Sequence, residues 1–162
     1  MPNRTTRTLV VERRRLSADV GVVFVALAGT HRYREWWPAA WDTRALSPHG
    51  GVGGRWAFNG PVGRQVAEIV EAVPGRLVEF RIVDGPMRGT GRWGLAGLRE
   101  ETDLTLALEL EAVTPLQRLM GQVRDPTRLQ QRAARLLIDS LARRVGAVPV
   151  VLTQSPSIPI VV

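Results

Sequence analysis

Cysteine is missing from the 162 residues, and so is lysine. Without cysteine there is no disulfide, no thiolate nucleophile and no sulfur-ligated zinc or iron–sulfur centre. The only histidines, His31 and His49, lack the i, i+4 spacing of a helical metal site. No Gly-x-Ser-x-Gly elbow surrounds any serine, which argues against a serine hydrolase. No apolar run approaches the roughly 18 residues needed to span a bilayer. The basic opening, MPNRTTRTLVVERRR, is not followed by a long apolar stretch with a small-residue cleavage site. These absences set the expectations of a soluble, cytoplasmic protein with no metal and no membrane span.

What is present is ordinary globular composition: 44% hydrophobic and 23% charged residues, enough to form a core in one domain. The formal charge is +7, and all 22 basic residues are arginine. They are spread from Arg4 to Arg144, and the densest run, Arg13-Arg14-Arg15, is three long. That spread reads as a compositional habit rather than a polyanion-binding stripe, so nucleic acid is not expected as a partner.

The local pattern is β-rich. Thr5–Leu16 reads as a strand, and Ser17-Ala18-Asp19 offers side-chain oxygens to cap a helix over Val20–Ala28, which Gly29 closes. A second short helix is expected from Thr30 to about Trp37, stopped by Pro38, then a strand over Trp41–Leu46. Strands follow at 55–58, 62–71, 77–83, 87–95 and 103–111, separated by the turn signals Asn59-Gly60-Pro61, Pro74-Gly75 and Asp84-Gly85-Pro86. Alternation is strictest where Leu104, Leu106, Leu108 and Leu110 share one face. A sheet with one apolar face needs a cover. Thr114-Pro115 and Asp125-Pro126 both look like helix starts. The longer helix, from about Thr127 to Val145, carries an apolar stripe of Leu129, Ala133, Leu136, Leu137, Leu141 and Val145. The Pro-containing apolar tail, 147–162, could pack on its own domain, add to a partner's sheet edge or be a poorly ordered end.

This order resembles the START-like superfamily, the SRPBCC group, and its polyketide cyclase/dehydrase and lipid-transport family. The similarity lies in LSADVGVVFVALAG (16–29), HRYREWWPA (31–39), GVGGRWAF (51–58), VAEIVEAVPGRLVEFRI (66–82) and GTGRWGL…TDLTLALEL before the last helix. It implies an α+β helix-grip fold over residues 1–146: a curved antiparallel sheet of about seven strands wrapped around a long C-terminal helix, with two short helices after the first strand. It further implies binding of a small hydrophobic molecule in an internal cavity. The expected activity is a cofactor-independent cyclase or dehydratase acting on a polyketide-like substrate; the alternative is a non-catalytic carrier of lipid or hydrophobic metabolite. A homodimer is compatible with either.

Five tryptophans are many for this length, and flat apolar rings with one N–H donor suit a ring-containing ligand. Trp36, Trp56, Phe58, Phe80, Trp93, Leu106, Met120 and Leu137 are the candidate walls; a filled core is the competing reading of each. Tyr33 could donate a proton to a carbonyl and His31 could shuttle one, so these two are the candidate catalytic groups. Arg55, Arg64, Arg88 and Arg92 are candidates for an inward arginine. The Gly89-Thr90-Gly91-Arg92-Trp93-Gly94 sequence matches a dinucleotide fingerprint in form, but it continues into a strand, not a helix. Small residues on a curved strand explain it better.

Overall fold

The structure is a computed structural model that describes residues 7–113, 126–146 and 149–150. Among these residues, eight strands form one antiparallel sheet in the order β2-β3-β4-β5-β6-β7-β1-β8. The strands are β1 (Arg7–Leu16), β2 (Arg44–Ala45), β3 (Arg55–Gly60), β4 (Gly63–Val73), β5 (Leu77–Asp84), β6 (Met87–Leu98), β7 (Glu101–Ala112) and β8 (Pro149–Val150). Six of the eight are long and two are only two residues long, which brackets the expected number of about seven. Helix α1 (Val20–Ala28) follows β1, and helix α2 (Pro126–Arg144) follows β7 after a gap in the described residues. This is the helix-grip architecture.

Helix α1 starts where its sequence says it should. Asp19 Oδ1 accepts from the Gly21 N–H at 2.8 Å, satisfying one of the free donors of the first turn. Thr30–Glu35 then forms a 3₁₀ segment rather than a full α-helix. The expected strand over Trp41–Leu46 is mostly absent. Ala39–Trp41 is a second 3₁₀ turn after Pro38, Asp42 adopts a left-handed conformation (φ 42°), and only Arg44 and Ala45 pair with β3. Trp41 is buried by ring contacts to Trp37 and Phe58.

The inner face of the sheet is apolar and the outer face charged, as the alternation implied. On β7, Leu104, Leu106 and Leu108 are buried, and Leu110 is partly buried. Across the outer face, acids stand beside arginines: Arg7–Glu109 and Arg15–Asp103 at 2.8 Å, Arg92–Glu79 at 3.5 Å and Arg55–Glu68 at 3.6 Å. That face therefore alternates in sign and offers no continuous basic track for a phosphate backbone.

Helix α2 covers the inner face along β1. Arg14 pairs with Asp139, and Arg135 Nε with Glu12 at 3.2 Å, so α2 runs parallel to β1. Of the expected stripe, Leu137 and Leu141 are buried and Ala133 and Val145 pack against the core, but the helix is rotated enough to turn Leu136 outward. Ala134, Leu137, Ile138, Leu141 and Ala142 are buried, whereas Leu136 is 42% exposed. The start of the tail adds to its own sheet: Val150 pairs with Arg15 and Pro149 with Leu16.

The glycines of 89–94 answer to strand packing. Gly89 has φ +139°, and a Cβ there would lie 2.0 Å from the Glu109 carbonyl oxygen. At Gly91 a Cβ would lie 2.0 Å from the Phe80 ring, which crosses β6 at that point.

Candidate functional site: the inner face of the sheet

The inner face has two ends. At one, β1 ends and α1 begins. At the other lie the β3–β4 turn, the β5–β6 turn, the start of β1 and the end of β7; we call this the turn end.

Toward α1 the interior is filled. Trp56 and Leu106 expose 0%, and Trp93 1%. Ile69, Val78 and Leu104 are buried as completely. A side chain with no area open to a water-sized sphere borders no void that could hold even one water. Tryptophan is used here as packing material. Tyr33 is the hub: its ring meets Trp56 edge-on at 4.9 Å, stacks on Trp37 at 5.1 Å and meets Trp36 edge-on at 5.2 Å. Trp37 touches Phe58 at 5.1 Å, and Trp56 touches Phe80 at 5.6 Å. Such edge and stacked pairs contribute beyond their buried area.

Of the candidate catalytic groups, Tyr33 is buried and its hydroxyl donates to the Leu27 carbonyl oxygen. Burial pushes its ionisation well above the ordinary tyrosine value of 10.0. Its proton is held by the peptide backbone. His31 is exposed on the same 3₁₀ segment, so the two do not converge on one pocket. Replacing Tyr33 by Phe is expected to cost about 1–2 kcal/mol of stability through loss of this buried bond. The pH dependence has a definite sign. The folded state raises this pKa, so the contribution is whole below the ordinary tyrosine pKa and is lost as pH rises beyond it. Urea unfolding from pH 8 to 11 should therefore show a steeper alkaline loss in the wild type than in Y33F.

Among the expected walls, Trp36, Trp56, Phe58 and Phe80 come together in the ring cluster with Tyr33. Trp93, Leu106 and Leu137 join the same core. Met120 lies outside the described residues. Arg55, Arg64, Arg88 and Arg92 are all exposed, so none is the inward arginine considered from sequence.

Toward the turn end, inner-face side chains retain a little accessible surface, Phe58 7%, Phe80 3% and Leu108 5%, as Leu95 (8%) does at the α1 end. Ile82, Met87 and Thr8 behave likewise, and Leu110 is only partly buried. The same end holds a polar group that the sequence reading passed over. Gln65 on β4 is 5% exposed and pairs across the sheet with Phe58. It is in phase with the buried Ala67 and Ile69, and a polar residue in an inward phase was the signal available. Its Oε1 is buried without a hydrogen-bond partner, as is Oε1 of Gln130 in the N-terminal half of α2. Two concavities bounded by described residues, about 210 and 330 Å³, both lie on the outer face, between Arg7, Thr90, Glu109 and their neighbours. Among the described residues no three His, Asp or Glu side chains cluster to hold a metal, and no helix is long and apolar enough to cross a membrane.

The sheet, the short helices after β1 and the gripping α2 define a helix-grip domain with an apolar inner face. The chain belongs to the polyketide cyclase/dehydrase and lipid transport family, whose sequence profile matches residues 7–146. Similar solved structures include a truncated norcoclaurine synthase from Thalictrum flavum (TM-score 0.68, 8% identity, covering 93% of this chain and 97% of that one). The Zhui aromatase/cyclase from Streptomyces sp. R1128 is also similar (0.67, 14%, 87% and 94%). A START superfamily protein from Mycobacterium smegmatis is another (0.67, 13%, 85% and 97%). At these identities the likeness is one of fold. No curated protein sequence matches this chain.

Proposed function

We propose that this protein binds a small hydrophobic, ring-containing molecule at the turn end of the sheet's inner face, against α2. The observation that carries the reading is the division of the interior. At the α1 end Trp56, Trp93, Leu104 and Leu106 are covered almost completely beside Tyr33, while at the turn end Ile82, Met87 and Leu108 keep a few per cent of exposure and Leu110 is only partly buried. Flat apolar walls with a few polar groups suit such a ligand.

Two uses of that binding follow. Folding a polyketide-like chain against these walls would promote its cyclisation or dehydration by holding reacting carbons together. The family description and the aromatase/cyclase neighbour support this use. Carriage without chemistry is supported by a different observation. Glu12, Arg14, Arg135 and Asp139, the charged groups at the β1–α2 seam, are paired with one another. A catalyst of this type needs an inward ionisable group, and the polar groups described at the turn end are the Gln65 and Gln130 amides and the Thr8 hydroxyl.

Native mass spectrometry of the protein purified from its own cells tests the reading, followed by a thermal-shift screen of aromatic polyketides and fatty acids. We expect a co-purified apolar compound and stabilisation by ring compounds. Release of that compound unchanged after incubation favours the carrier; conversion to a cyclised or dehydrated product favours the enzyme. Absence of any bound compound together with no shift across the screen would contradict ligand binding.

A further inference from the structure

We infer that Gln65 reads a hydroxyl on the bound molecule, and that the fold keeps it there at a cost in its own stability. This rests on the binding site proposed above and adds a specificity-determining residue to it.

A buried carboxamide normally finds partners, because losing water without replacing its hydrogen bonds is costly. Gln65 is on the inner face of β4, 95% removed from solvent by its 5% exposure, and its Oε1 has no partner. The neighbours explain why. Phe58 lies directly across on β3, and Ala67 is next along the same face. On the turn side, the amide nitrogen would be 3.5 Å from a Cβ placed on Gly60, and Cγ would be 3.2 Å from one on Gly85. Phe58, Ala67 and the two glycines supply no side-chain donor, and no hydrogen bond joins the amide to the indole N–H of Trp56, which is also buried without a partner. Among the described residues nothing in the packing requires an amide here; a methionine of similar length would fill the same space. An unpaired acceptor at the turn end of an apolar interior is suited to a guest that brings a donor. The second unpaired amide oxygen, on Gln130, belongs to the N-terminal half of α2, which the Glu12–Arg135 pair directs toward the same end. The ligand class is therefore a fused or single ring system bearing a hydroxyl, in preference to the same skeleton without a donor.

The test uses the full chain and two probes, 2-naphthol and 2-methoxynaphthalene. They share a ring system, but only the first donates a hydrogen bond. Calorimetric titration should show 2-naphthol bound about tenfold more tightly by the wild type. In Gln65→Met the two should bind alike. Without any probe, Q65M should melt about 2–4 °C higher than the wild type, since an unpaired buried polar group has been removed. A Gln65 with a purely structural role would give the opposite shift. Equal binding of both probes by the wild type, unchanged discrimination in Q65M, or a Q65M that melts earlier would overturn the role of Gln65 alone. Failure of the wild type to bind either probe would count against the ring-binding site itself, and the role would fall with it.

Discussion

Trp56→Ala should lower the unfolding free energy by about 3–5 kcal/mol, the range for truncating a large aromatic in a packed core. Trp56 has no exposed surface and touches Tyr33, Trp37 and Phe80, so its removal leaves a void that three rings border. Those rings are fixed in turn. Tyr33 is held by its bond to the Leu27 carbonyl, and Trp37 by contacts to Trp36, Trp41 and Phe58. Collapse into the void would have to break several of these contacts at once. Urea unfolding followed by circular dichroism gives the measurement. A cost under about 1 kcal/mol would mean that the indole already borders open space. The α1 end of the interior would then be a chamber rather than a plug.

Gly89→Ala should be comparably severe, at least about 3 kcal/mol, because two penalties act together. The backbone at Gly89 is in a region that side chains rarely adopt, and the new carbon would collide with the main-chain oxygen of Glu109 on the neighbouring strand. Backbone cannot rotate aside as a side chain can. Gly94→Ala is the control. Its nearest neighbour would be Thr105 Cβ at 3.8 Å, ordinary contact, and the change should stay within about 1 kcal/mol. Thermal melts of the two variants decide the matter. Equal effects at 89 and 94 would revive a common role for the glycines; a large effect at 89 alone assigns Gly89 to the path of β6 over β7.

Some of this molecule could be read directly from its residues. The leucines of β7 alternate without interruption, so their face follows from the two-residue period of a strand. Helix α1 announced itself through Asp19 and its apolar body. The face of α2 was legible in large part: Leu137 and Leu141 are buried and Ala133 and Val145 pack on the core, whereas Leu136 turns outward and Ala134, Ile138 and Ala142 turn inward. That rotation is set by Arg14 and Glu12 on β1, whose partners on α2 are distant in sequence. Trp41 misled for a similar reason: its β propensity is local, but the rings that hold it come from Trp37 and Phe58.

The candidate site was legible only as a set of apolar residues. That Trp36, Trp56, Phe58 and Phe80 meet was foreseeable; that Trp56 sits in a closed cluster depends on Tyr33 filling the centre. The side chain expected to supply a proton instead anchors the 3₁₀ segment to α1 through a main-chain carbonyl. No sequence pattern marks a hydroxyl whose partner is a backbone atom. Gln65 could have been found, since a polar residue between inward-facing Trp56, Phe58, Ala67 and Ile69 breaks the rule its neighbours obey.

Methyl-resolved NMR during titration with 2-naphthol tests the central claim most directly, because leucine and isoleucine methyls report from both ends of the interior. The account predicts shifts concentrated at Ile82, Leu108 and Leu110, with Leu104, Leu106 and Ile138 nearly unmoved. Perturbation centred on Leu104 and Leu106, or confined to the outer-face residues Leu9 and Val11, would contradict it.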